Sequence, residues 1–172
     1  MKILIFGAGN LILSDEGFGV HFVRYLEENY LFPPEVELYD GGTMGIMVTH
    51  KFEEADRVYI VDTVAVEGAP GDICRFEKDD FMLKRIPLKM SPHQIGIQEM
   101  LLISELRGKC PERITLLGII PDTLEPGGEL SWLLRDRVCY LASKLLKELR
   151  DEGVRVTVKA GTDGRPAAEL AA

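Results

Sequence analysis

Short β-branched runs that alternate with longer stretches of helical periodicity constrain this chain more than any other feature. K-I-L-I-F (2–6), V-E-L-Y-D (36–40), R-V-Y-I-V-D (57–62) and R-I-T-L-L-G-I-I (113–120) read as strands. Between them, 15–30 carries Phe18, Phe22, Val23 and Leu26 at helical spacing. Residues 44–54 form a second candidate helix, and 94–107 has a broad apolar face of Ile95, Ile97, Met100, Leu101 and Leu102. A final helix is predicted over 131–150, introduced by P-G-G-E-L-S with Ser131 as its N-cap. This alternation predicts an α/β fold: a single domain with a twisted, mostly parallel central sheet flanked by helices on both faces. G-D-I-C-R-F-E (71–77) and V-R-V-T-V-K (154–159) add strands, the last at an edge. The domain is expected to span 1–160, with 161–172 a loose tail.

Length and charge narrow the partners. A chain of 172 residues supports one domain with a sizeable core. Its 20 Lys and Arg against 28 Asp and Glu give a net charge of −8, which disfavours nucleic acid or an anionic membrane and favours a small molecule, a metal or a protein. Cys74, Cys110 and Cys139 are odd in number and far apart, which fits neither a zinc ribbon nor a disulfide framework and points to a reducing compartment. The first apolar run is too short for a signal peptide, and no segment approaches the ~20 apolar residues of a membrane span. A cytoplasmic location is expected.

In open α/β sheets ligands bind outside the carboxyl ends of the strands, so chemistry is sought at Asn10 to Glu16, Asp40 to Gly45 and Asp62 to Val64. The first of these follows a strand with G-A-G-N and resembles a dinucleotide-binding turn, with Asp40 in the place of a ribose-binding acid. Ile12 stands at the third glycine position, however, and Leu11 to Glu16 make the loop too long. Asp15 and Glu16 occupy the helix end that would hold a pyrophosphate, where they repel phosphate and attract a cation. The pair has a plainer explanation too: Ser14 as an N-cap, with acids complementing the helix dipole.

Two further residues keep the cation in play. Asp62 ends its strand, where a simple turn acid is the alternative. His93 lies in S-P-H-Q, with Ser91 and Gln94 at capping-box spacing and Pro92 suited to the first helical position. A helix N-terminus favours neutral imidazole, the form a metal requires, although a lone exposed histidine is equally compatible with the sequence. Glu16, Asp62 and His93 could converge as a facial set of ligands for a divalent metal. Three glycines after Asp40 let the backbone approach a bound chain, or simply form a turn. No Gly-x-Ser-x-Gly elbow is present, and none of the cysteines lies at a strand-to-helix turn suited to a nucleophile.

Taken together, G-x-G-N-x-x-x-x-D-E-G-x-G (7–19), D-G-G-T-x-G (40–45), D-T-V (62–64), P-G (70–71), S-P-H-Q (91–94) and G-I-I-P (118–121) resemble the maturation endopeptidases of nickel–iron hydrogenases. The resemblance runs from Lys2 to about Leu149. It implies a protease that trims a C-terminal extension from the hydrogenase large-subunit precursor after nickel insertion. It further implies that Glu16, Asp62 and His93 bind nickel carried by the substrate, or another divalent metal as surrogate. Asp40, Gly41, Gly42 and Thr43 are implied in substrate processing, and the family acts as a small monomer. A carboxylate, Asp40 or Asp62, is a candidate general base toward water. Two other classes stay open on the residues alone: a nucleotide-binding oxidoreductase module, and a noncatalytic docking or chaperone protein with the same metal site.

Overall fold

The computed structural model describes residues 1–82 and 92–160, with side chains left aside at 45–46, 81–82 and 92–95. Along the chain run β1 (Ile3–Ala8), α1 (Phe18–Asn29), β2 (Tyr30–Leu31), β3 (Val36–Gly42), α2 (Thr49–Glu53), β4 (Arg57–Thr63), β5 (Ile73–Glu77), α3 (Lys78–Met82), α4 (Pro92–Leu106), β6 (Arg113–Ile119), α5 (Trp132–Asp151) and β7 (Thr157–Val158). Five strands form one sheet in the order β3-β1-β4-β6-β5, parallel except for β5, which pairs antiparallel with β6. The predicted α/β architecture is therefore the observed one.

Period-two alternation in the buried strands divides the core into two layers. On one face Ile3, Ile5, Tyr59 and Val61 pack with Phe18, Phe22 and Leu26 of α1 and Leu134, Leu141, Leu145 and Leu149 of α5. On the other, Leu4, Phe6, Val58 and Ile60 meet Phe52 of α2 and Met100 and Leu101 of α4. Each such fully buried side chain contributes roughly 1.5–3 kcal/mol, so the sheet is clamped from both sides and its strand ends are held still.

Local expectations failed where a distant partner outweighed local preference. The helix predicted from residue 15 begins at Phe18, behind a 3-10 turn over Ser14–Gly17, and its N-cap is Gly17 without a side-chain bond. Ser14 is thus not the cap of α1: it has φ 47, and its Oγ donates to the carbonyl of Glu125 at 2.8 Å. The 44–54 helix divides into a 3-10 turn at Gly45–Val48 and the short α2. The strand predicted over 154–159 shrinks to β7, which pairs with β2 in a separate two-stranded ribbon rather than at an edge of the main sheet. Ser131 does cap α5, accepting from the N–H of Leu134, and Pro92 does open α4. The expected loose tail and Ser91 lie outside the described residues.

A charged cluster ties α5 to the amino ends of the strands. Arg57 is 1% exposed; its guanidinium donates to Glu148 at 2.5 Å and also to Glu152. Glu148 accepts from the Tyr59 hydroxyl at 2.9 Å and pairs with Arg75 at 2.8 Å. Burial opposes ionisation of Glu148, but the bonds from Arg75 and Tyr59 outweigh it and its pKa falls below the ordinary 4.5. A carboxylate with a lowered folded pKa stabilises the fold above its unfolded pKa and loses that contribution as pH falls through the folded value. Thermal melts should therefore show stability declining as pH drops below about 4.5, with a shallower decline in Glu148→Gln.

Candidate active site

Strand order creates the site. From β1 the chain moves to β3 on one side, then crosses back to β4 on the other, so β1 and β4 flank the point where the winding reverses and a crevice opens beyond their carboxyl ends. Glu16 follows β1 and Asp62 lies near the end of β4. Both are buried, Asp62 fully and Glu16 at 9% exposure, and carboxylates at such depth require partners or a cation. The 3-10 turn carrying Glu16 packs against β4. Asp62 Oδ1 accepts from the N–H of Thr63 at 2.8 Å.

Close backbone packing brings the first loop to this edge. Gly9 has φ +145, and a Cβ there would lie 2.1 Å from the Glu16 carbonyl oxygen; a Cβ on Gly19 would lie 2.1 Å from the Val61 carbonyl oxygen and 2.3 Å from that of Ala8. These glycines let the turn before α1 sit directly on β1 and β4. Six of the eight N–H groups from Gly9 to Glu16 are already engaged: Gly9 donates to Gly42, Asn10 to Glu16, Leu13 to Asn10, Ser14 to Gly127 and Glu16 to Leu13, and Ile12 donates to the Asn10 side chain. A phosphate would find no such row of donors here, which removes the physical basis of the nucleotide reading.

Asp15 and Glu16 have separate tasks. Asp15 is fully buried and turned away from the crevice into the loop after β6. Its Oδ2 accepts from the N–H groups of Asp122 and Thr123, both at 3.0 Å, and its Oδ1 from that of Ser131 at 2.7 Å. The acidic pair is thus one loop anchor and one crevice carboxylate rather than a dipole cap.

The helix that carries His93 packs on the same side of the sheet as α2. Arg107, just past α4, pairs with Glu53 at the end of α2, before β4 begins; fifteen residues at ~1.5 Å rise carry the other end of α4 roughly 22 Å back along the strands. α4, whose first turn contains His93, also packs against the 3-10 turn that follows β3. The His93 side chain lies outside the described residues. Among the described residues no three His, Cys, Asp or Glu side chains form a metal cluster by themselves.

The D-G-G-T segment borders the crevice on its other side, where the Gly42 carbonyl accepts from Gly9 at 2.9 Å. Asp40 is held by Arg24 at 3.0 Å. Because β1 lies between β3 and β4, Asp40 and Asp62 are separated by two strand spacings, about 10 Å. They do not form a carboxylate pair sharing one proton. Thr43 and Gly42 are accessible, and Gly41 is buried.

A doubly wound α/β domain with buried carboxylates at its switch point defines the class of protein. The chain belongs to the hydrogenase maturation protease family, whose model matches residues 20–164, and is accordingly a hydrolase of the endopeptidase type. It is 35% identical over 155 residues to a hydrogenase 2 maturation protease of Escherichia coli, covering 90% of this chain and 94% of that one. It is 36% identical over 157 residues to the hydrogenase expression/formation protein HupD of Rhodobacter capsulatus, covering 91% and 75% of the two chains. The fold matches the hydrogenase maturating endopeptidase HybD of E. coli with a TM-score of 0.87 at 32% identity, over 94% of this chain and all of the other.

Proposed function

We propose that this protein removes the C-terminal extension of a nickel–iron hydrogenase large-subunit precursor once nickel has been inserted. The observation that supports this reading is the burial of Glu16 and Asp62, two carboxylates from different segments, where the 3-10 turn carrying Glu16 packs against β4. Glu16, Asp62 and His93 engage the nickel that the precursor already carries, so that cleavage reports metal loading. Binding of that ion fixes the neighbouring peptide in the crevice and turns recognition into proximity. Gly42 and Thr43 line the extended peptide, while Gly41, buried over the Phe6 ring, lets the end of β3 lie close beneath them.

Hydrolysis requires a base to take a proton from water as it adds to the scissile carbonyl, and a proton for the leaving amine. Asp62 and Asp40 are the candidate bases, Asp62 as a member of the nickel-binding group and Asp40 on the far side of β1. The enzyme works as a cytoplasmic monomer that meets its client transiently. The test is the intact mass of a large-subunit precursor incubated with this protein, with and without prior nickel loading. Loss of a C-terminal peptide from the loaded sample alone is the expected result. Nickel-dependent binding without loss of mass would instead establish a docking protein, and cleavage regardless of nickel would remove the metal from the roles of Glu16, Asp62 and His93.

A further inference from the structure

Beside the crevice, the loops after β1 and β6 form a platform that catalysis does not explain. Ile12, Leu124 and Trp132 are 70%, 51% and 80% exposed, a large apolar outlay for a water-facing surface. Exposed apolar groups gathered in one place mark interaction sites, and tryptophan is the side chain most enriched among binding hot spots. The platform is rigid. Gly127 donates to the Ile12 carbonyl at 3.0 Å, and Ser14 donates to the Gly127 carbonyl at 2.7 Å. The three N–H groups that reach Asp15 belong to residues within two positions of Leu124 or Trp132. Ile12 and Leu124, on loops bonded in this way, and Trp132, in the first turn of α5, lose little backbone freedom on binding.

Charge identifies the occupant. Asp122, Glu125 and Glu129 are all exposed around these apolar groups, and Arg135 is the cation that answers them, pairing with Glu129 at 3.6 Å while both side chains stay largely in solvent. Such an exposed pair neutralises little, so the rim is net acidic. We propose that Ile12, Leu124 and Trp132, rimmed by Asp122, Glu125 and Glu129, dock a basic segment with apolar side chains on the precursor, outside the bond that is cut. This rests on the proposed function, and it assigns client selection to the β6 loop rather than to the crevice.

Initial rates against concentration of a nickel-loaded large-subunit precursor test it, for the wild type, Trp132→Ala and the double variant Glu125→Lys/Glu129→Lys. All three changes are at exposed positions, so melting temperatures should match the wild type. Trp132→Ala should raise KM about 30-fold or more, the size expected for loss of one hot-spot side chain, with kcat within twofold. The charge-reversed variant should also raise KM, and added salt, which raises the wild-type KM by screening, should not raise its KM further. If the wild type cleaves but both variants keep its KM, or lose kcat instead, the docking surface is overturned while the protease reading stands. If the wild type leaves nickel-loaded precursor uncut, the protease reading fails and this inference falls with it.

Discussion

Glu16→Gln is expected to lower processing of nickel-loaded precursor at least 100-fold while the protein melts close to the wild-type temperature. Gln preserves the volume of the side chain and one carbonyl oxygen, but it removes the negative charge that a divalent cation needs. Loss of an outer partner of a metal ligand already costs about 10–100-fold, and Glu16 is proposed to touch the ion itself. Its backbone bond to the Leu13 carbonyl, which holds the 3-10 turn, is kept by Gln. Asp62→Asn should behave alike, because Asn Oδ1 can still accept from Thr63 while the charge is gone. Processing measured by intact mass, set beside a thermal melt, separates the two roles. Normal processing by either variant would exclude that residue from the nickel-binding group.

Asp15→Ala should produce the opposite profile, a loss of stability first and of activity as its consequence. Three part-buried backbone N–H groups lose their acceptor at once. Hydrogen bonds to a charged acceptor contribute about 1.5–3 kcal/mol each, and donors left unsatisfied carry a desolvation penalty, although water entering the gap recovers part of it. A net cost of about 3–5 kcal/mol follows, which for a domain of this size lowers the melting temperature by about 10 °C. Asp15→Asn should fall between, since its single oxygen can keep only part of the set. Both variants should also lose processing, because Asp15 is bonded in sequence to Glu16 and the 3-10 turn is held by that anchor. A melt unchanged in Asp15→Ala would show that the β6 loop is held by other contacts.

Much of this was legible locally. An apolar run such as R-V-Y-I-V-D needs only its own residues to be read as a strand, and Ser131 followed by a helical pattern needs only its own N–H three residues on to be read as a cap. Asp62 could be singled out because it ends an apolar strand run and Glu16 because it lies in the loop that follows one, and strand ends are where open α/β sheets bind ligands. The exposed platform left a fainter trace. P-D-T-L-E-P-G-G-E-L-S carries turn residues throughout, and nothing in its own pattern says that Leu124, or Trp132 just after it, stays in solvent while Gly127 bonds to Ile12.

The sequence by itself determined the α/β class, the main strands, the helix over α5 and the carboxylates at the strand ends, because periodicity and capping act within a few residues. Only the tertiary structure decided which member of the acidic pair is the anchor. The partners of Asp15 lie 107 to 116 residues away, and no local pattern encodes a bond made across that span. The same holds for Ser14, drawn from an N-cap into φ 47 by Glu125 and Gly127. It holds for β7 as well, which leaves the main sheet because its partner is Tyr30–Leu31. The order β3-β1-β4 separates Asp40 from Asp62 and opens the crevice between β1 and β4. Strand order is a choice among long-range pairings, each made only when the whole sheet assembles.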